Sequence, residues 1–312
     1  ETVAGYSSSS KPVAIDGSSI ADGAIFEISS TGSMIAGIEL QYNDIGIDLT
    51  AASESTTIYG NNFTGLDAGI LSGAPEDYGS TGINDYSLGS NIIGDVSGSY
   101  PNFFNIGQYG YYTQSSNNLV AGNYFGIESD GVTESAPQLR QAIVLVGSSN
   151  IIGGDTVGER NYIGGTTGIN ISGESNSVIG NYIGIDGSGT GIITDANMVS
   201  GKGISLGGAS NTIGSLVPAE KNIIANGISI TGTTNSIIGN YLGLDATGNT
   251  AIGSAIFSLS AIGATDFLID SNSIAGYSGA GIAVAHGASN GAISNNKIGT
   301  NSAGDTLLLS SS

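Results

Sequence analysis

Cysteine and tryptophan are absent from the 312 residues, and lysine and arginine together number 6 against 26 aspartates and glutamates, a formal net charge of −20. Without cysteine no disulfide staples the chain, and its order must come from packing and extended hydrogen-bonded stacks. Six scattered cations cannot neutralise a run of phosphates, which argues against nucleic acid and anionic membrane surfaces as partners. No stretch of about 18 apolar residues marks a membrane span. The Ala-, Leu-, Glu- and Lys-rich amphipathic stretches that build long helices are missing, and leucine-rich and ankyrin signatures do not occur.

What the chain has in quantity is glycine, 52 residues, and repetition. The stretch SerAsnSerValIleGlyAsnTyrIleGlyIleAspGlySerGly at 175–189 returns as ThrAsnSerIleIleGlyAsnTyrLeuGlyLeuAspAlaThrGly at 234–248. A looser copy, AsnAsnLeuValAlaGlyAsnTyrPheGlyIleGluSerAspGly, lies at 117–131, and eroded copies run over 57–69 and 290–304. A second strip, SerAsnIleIleGly at 90–94, matches 149–153 and SerAsnThrIleGly at 210–214. On one line the two strips place Asn91, Asn117, Asn150, Asn176, Asn211, Asn235, Asp266 and Asn290 at steps of 26, 33, 26, 35, 24, 31 and 24 residues. Short and long steps alternate, so each repeat of about 55–61 residues holds two turns of a smaller winding, of roughly 28 residues each.

Within each step, runs such as GlyIleSerLeu (203–206) and GlyIleSerIle (227–230) alternate aliphatic with small or polar residues and are cut by Gly, Asn, Ser and Thr. That pattern predicts short strands. Strands recurring once per turn, each beneath its equivalent, pair in parallel and wind an all-β parallel β-helix of roughly 11 coils. The asparagine line then marks a corner where the chain turns sharply with φ > 0, which Asn and Gly tolerate best, and where stacked amides hydrogen-bond along the column. The repeat covers 56–304; residues 1–55 carry strands without the signature and are either first coils or a segment that pairs elsewhere, and 305–312 form a tail.

The AsnXaaIleXaaGlyAsnTyrIleGlyXaaAspXaaXaaGly unit resembles the repeat of secreted bacterial right-handed parallel β-helix proteins, over about residues 56–304. The resemblance implies a right-handed solenoid, as the general hand of parallel crossovers also does. It further implies an extracellular or cell-surface setting, in keeping with a start at Glu1 from which a signal peptide is expected to have been removed.

For chemistry the sequence offers three groups. Asp67, Glu128, Asp186 and Asp245 recur at one place in the enlarged coils, where each carboxylate is expected either to cap its own loop or to contribute to a calcium site. Tyr78, Tyr86, Tyr100, Tyr109, Tyr111 and Tyr112 crowd one region with Phe103 and Phe104, and either contact a sugar or partner protein or fill a groove beneath a folded-back loop. Tyr124, Tyr182 and Tyr241, each after a GlyAsn, are expected to stack. The lone His286, followed by Gly287, resembles the HisGly segment of polygalacturonases, but the AspAsp pair and ArgXaaLys motif of that family are absent. Arg160 and Lys221 occupy matching positions, before Asn161 and Asn222, as a surface ladder or a pair of bases.

No catalytic set assembles from these residues, and the expectation is a non-enzymatic structural or adhesive surface protein. With no capping segment evident at either end, head-to-tail self-association into a fibre is expected, with a cell-surface polysaccharide or protein as further partner. A polysaccharide lyase or hydrolase is the alternative, and an ice-binding solenoid the third reading, although ThrGlyThrThr (231–234) does not recur in register.

Overall fold

A computed structural model describes residues 2–3, 13–20, 23–41, 44–64, 81–135, 139–193, 202–253 and 257–308. Their strands form three parallel sheets, two of eleven strands and one of ten, and every strand pairs with the strands three elements before and after it. One coil therefore contributes one strand to each sheet, as Ile92–Ile93, Phe103–Asn105 and Tyr109–Thr113 do, and the next coil lies directly over it. This is a right-handed parallel β-helix of eleven rungs, which matches the number read from the repeat. The strands of the first 55 residues take its first rungs, with Val13–Asp16 pairing to Ile38–Gln41 and Ala24–Ile28 to Ile45–Leu49. Among the described residues no helix is long and apolar enough to cross a membrane.

The core follows from alternation. In the first sheet Ile35, Ile58, Ile93, Val120, Ile152, Val178, Ile213, Ile237 and Ile269 share one inward column and are all buried. Each such side chain removes enough apolar surface from water to stabilise by about 1.5–3 kcal/mol. Because neighbours are supplied by adjacent coils, the column grows in length and not in girth.

The second sheet carries the largest buried rings. Phe63, Phe104 and Phe125 stack at 4.6 and 4.5 Å with planes tilted by 7° and 6°. They fit because the third sheet meets them with Gly46, Gly82 and Gly110: a Cβ on Gly82 would stand 2.6 Å from Phe104 Cδ1 and 2.7 Å from the carbonyl oxygen of Gly110. Both neighbours are fixed, one by ring stacking and the other by the sheet, so neither yields cheaply. The substitution Gly82→Ala is expected to destabilise by about 1–3 kcal/mol, read as a lowered melting temperature; an unchanged melt would show that the ring stack can shift.

Candidate functional site

Asparagine side chains form the polar spine of the fold. Asn91, Asn118, Asn150, Asn176, Asn211 and Asn235 occupy one corner on consecutive coils, and the backbone N–H of each donates to Oδ1 of the next at 2.8–2.9 Å. From Asn150 onward each Nδ2 also donates to the next Oδ1 at 3.0–3.1 Å. The structure corrects the sequence assignment at three places. Asn117, Asp266 and Asn290 lie one residue before the column, at φ 62°, 54° and 54°, with Ser90, Ser149, Ser175, Ser210 and Thr234 in the same conformation. The left-handed residue therefore precedes the ladder asparagine, turning the chain so that the following side chain points inward. Column positions beyond Asn235 are Phe267 and Gly291, and a Cβ on Gly291 would stand 2.1 Å from the Phe267 ring, so the ladder gives way to packing there.

A second ladder, absent from the sequence assignment, runs along another corner. Asn61, Asn102, Asn123, Asn161, Asn181, Asn222, Asn240, Asn272 and Asn296 stack on consecutive coils, with an unbroken series of Nδ2 to Oδ1 bonds of 2.9–3.1 Å. Its sequence signal is the GlyAsn of 122–123, 180–181 and 239–240, alternating with Pro101, Arg160 and Lys221 before the intervening asparagines. Asn181 shows the arrangement: Oδ1 accepts from the N–H and Nδ2 of Asn161, while Nδ2 donates to the carbonyls of Ile152 and Ile179.

One carboxylate lies inside the barrel. Asp85 takes an inward place between Leu49 and Thr113 in the third sheet and is wholly buried. Its Oδ2 accepts from Tyr111 Oη and Ser115 Oγ at 2.6 Å, Thr113 Oγ1 at 3.0 Å, Asn118 Nδ2 at 3.2 Å and Asn91 Nδ2 at 3.3 Å. Oδ1 accepts the Ser87 N–H at 3.0 Å. Burial first, and then the Asp85 charge, push the Tyr111 hydroxyl well above its ordinary value, so it stays protonated and donates. The sequence groups Tyr111 with the surface contact tyrosines; the structure places it in the core, because its neighbours along the strand column are Ile83 and Ile143. Here the first ladder is diverted: the Nδ2 groups of Asn91 and Asn118 serve Asp85, Ser87 and Ser115 instead of the next amide.

The loops of the enlarged coils divide by chemistry. Asp186 and Asp245 cap their own loops, Asp245 Oδ1 accepting from the N–H groups of Asn249 and Thr250 at 3.0 and 3.2 Å and Asp186 Oδ1 from Ser188 Oγ at 2.6 Å. Glu128 stands in the equivalent place, pairing through Glu128 N–H and Thr133 as Asp245 does through its N–H and Thr250. Its carboxylate does not cap. Asp130 takes that task, accepting the N–H groups of Val132 and Thr133 at 2.8 Å, and Glu128 instead meets Asn105 Nδ2 at 3.4 Å. Asp67 and Tyr78 lie outside the described residues.

Beside these loops runs an outward aromatic column. Phe103 and Tyr124 lie 5.1 Å apart, Tyr124 and Tyr162 stack at 4.7 Å, and Tyr162 meets Tyr182 edge-on at 5.6 Å. Tyr124 thus reaches Tyr182 only through Tyr162, and Ile223 separates Tyr182 from Tyr241. The Arg160 guanidinium lies 4.0 Å from the centre of the Tyr182 ring, and Lys221 Nζ 3.6 Å from that of Tyr241, so each cation covers the tyrosine of the next coil. Tyr86 and Tyr100 are exposed, Tyr109 and Tyr112 half-buried, and Tyr112 contacts both Tyr86 and Tyr109 at about 6 Å. His286 sits exposed on a turn at φ 51°.

A cleft of about 280 Å³ opens at one end of this column, lined by Asn62, Tyr100, Phe103, Asn105, Glu128 and Ser129 among others. The amide oxygens of Asn62 and Asn105 are buried and have no hydrogen-bond partner. Across Pro101 lies a second cleft, of about 310 Å³, bordered by Tyr124, Tyr162 and Arg160. In comparisons with known proteins, no family model, curated protein or solved structure matches this chain.

The loop between the clefts is tied by Asp95, which accepts the N–H groups of Ser97, Ser99 and Tyr100 at 3.0–3.1 Å. Partial burial works to raise the Asp95 carboxyl, but the Ser97 hydroxyl, which donates to Oδ2 at 2.6 Å, and these three N–H groups together outweigh it and hold the group below its ordinary value of 3.8. A depressed carboxylate stabilises above its unfolded value and loses that contribution as pH falls through the folded one. The Ser97, Ser99 and Tyr100 amide resonances should therefore titrate together with a midpoint below pH 3.8; a midpoint above that value would contradict the assignment.

Removing a ladder rung should cost more inside the stack than at its end. Asn181→Ala strands the Asn161 N–H and the Ile152 and Ile179 carbonyls, an expected loss of about 3 kcal/mol or more at about 1–3 kcal/mol per buried orphan, whereas Asn296→Ala, at the last rung, strands only the Asn272 N–H and the Ile269 carbonyl and should lose less. Equal effects in chemical denaturation would argue that the amides do not act as a column.

Proposed function

We propose that this chain is a non-enzymatic extracellular building block, a rigid rod of structural or adhesive use. The observation that carries the reading is that five of the side chains best able to do chemistry are committed to the lattice. Asp85 is sealed among five side-chain donors, Asp186 and Asp245 cap loops, and Arg160 and Lys221 lie over tyrosine rings. Eleven rungs at about 4.8 Å give a rod of roughly 50 Å. Its parallel pairing makes the two ends complementary, since the edge offered by one rung is the edge the preceding rung accepts.

The last described rung supports end-to-end association. Val284, Ile293 and Ile298 belong to the final strands of the three sheets and are 48%, 47% and 44% exposed, where their counterparts further in are buried. A second copy's first rung would pair with these strands and cover the three side chains, a heterologous contact that extends into a fibre.

Light scattering and negative-stain microscopy of the chain should show concentration-dependent threads that Ile293→Glu with Ile298→Glu abolishes while the melting temperature holds. Single rods at every concentration would remove the fibre. Release of reducing ends or unsaturated uronate from a polysaccharide panel would overturn the non-enzymatic reading in favour of a carbohydrate-active enzyme.

A further inference from the structure

We infer that the cleft between Tyr100 and Glu128 is a binding site for a neutral sugar unit. The assignment begins with an anomaly in the repeat. At the place where Asp186 and Asp245 cap their loops, the chain carries Glu128, one methylene longer, and the capping task has moved two residues on to Asp130. Glu128 is thereby released, and its carboxylate reaches the Asn105 amide across the coil boundary.

The cleft that Glu128 lines also holds two acceptors that the fold leaves unsatisfied. Asn105 is only 7% exposed, its Nδ2 turned to Glu128 and its Oδ1 without a partner; Asn62, one coil below, likewise has a buried Oδ1 without a partner. A buried amide oxygen left unpaired costs about 1–3 kcal/mol. The corner asparagines are bonded rung to rung, whereas Asn62 and Asn105 belong to the adjoining strands of the second sheet, and their two unpaired oxygens beside a carboxylate line one cleft.

The lining defines that donor. Asn62 Oδ1, Asn105 Oδ1 and the Glu128 carboxylate all accept, so the ligand must bring several O–H groups on one side. Phe103 and the exposed ring of Tyr100 supply apolar surface on which the C–H face of a pyranose can lie. Glu128 and the net charge of −20 disfavour uronates, sulfated sugars and phosphates. The cleft of about 280 Å³ suits one or two sugar units, and the second cleft beyond Pro101, bordered by Tyr124 and Tyr162, offers a track for a neighbouring unit. The site stands on one chain and is independent of whether rods join end to end.

Saturation-transfer NMR of the whole chain with the methyl glycosides of glucose, galactose, mannose and N-acetylglucosamine tests the assignment. At least one glycoside should be saturated by the parent chain, with affinity weakened about tenfold or more by Glu128→Gln, the loss of one charged hydrogen bond. Tyr100→Ala, at an exposed position, should weaken the same glycoside without altering the melting temperature, and serves if Glu128→Gln fails to fold. No saturation of any glycoside, or saturation unchanged in both variants, would overturn the proposal. Calcium chloride alone raising the melting temperature in a Glu128-dependent manner, without glycoside binding, would overturn it as well and assign the three oxygens to a cation.

Discussion

A side-chain amide reproduces the donor and acceptor of a backbone peptide, and the coils of this protein are spaced as backbone strands are, about 4.8 Å apart. That coincidence governs the two corners where the chain leaves one sheet for the next. A turning strand leaves N–H and C=O groups that no ladder partner can reach, and buried they would each cost free energy. The asparagine on the coil above supplies Oδ1 to the orphan N–H while its Nδ2 takes a carbonyl, as Asn222 does for Asn181 N–H and the Val178 carbonyl. Aspartate would lack the donor, and glutamine, one methylene longer, would carry its amide out of the column. The sheets can therefore be only two to six residues wide and still be fully bonded.

Asp85 breaks that rule, and its surroundings have adapted to it. Its carboxylate has no donor to pass along, so the neighbouring coils contribute hydroxyls from Tyr111, Thr113 and Ser115, and two ladder amides turn toward it. The first ladder keeps its N–H to Oδ1 bonds through this region and loses only the amide-to-amide ones. Ladder and core are thus separable: the backbone bond fixes the register, and the spare Nδ2 proton is free to serve a local need. The same separability explains why loops of very different length emerge between Asn161 and Asn181, and between Asn181 and Asn222, without disturbing either column.

The fold was legible because it is periodic. Five copies of one unit forced strands to recur at fixed intervals, and parallel pairing came with that recurrence. What the period did not settle was position within the unit. Asn117 and Asn118 are adjacent amides and either fits the spacing; only the inward turn after a left-handed residue selects Asn118. The second ladder was hidden in GlyAsnTyr, where glycine and tyrosine stand out as turn and aromatic, and where Pro101, Arg160 and Lys221 break the motif on alternate coils. Tyr111 was misplaced for a related reason. Within TyrGlyTyrTyr at 109–112 three tyrosines look alike, and strand alternation decides which one enters the core.

The cleft was legible only in part: Glu128, Tyr100 and Phe103 stood out in the sequence, but Asn62 and Asn105 lie on the two coils before that of Glu128 and depart from nothing in the ordinary composition. In a solenoid such a site has a recognisable cause. Each coil is held by its neighbours through the same few positions, so a residue at a repeat position is explained by the scaffold, and a departure from the repeat needs a separate reason. Glu128 in an aspartate position is such a departure, and it coincides in space with the unpaired oxygens of Asn62 and Asn105. Binding chemistry in this architecture is therefore sought at imperfections of the period, where a side chain released from its structural duty faces outward beside others that the ladders have left unbonded.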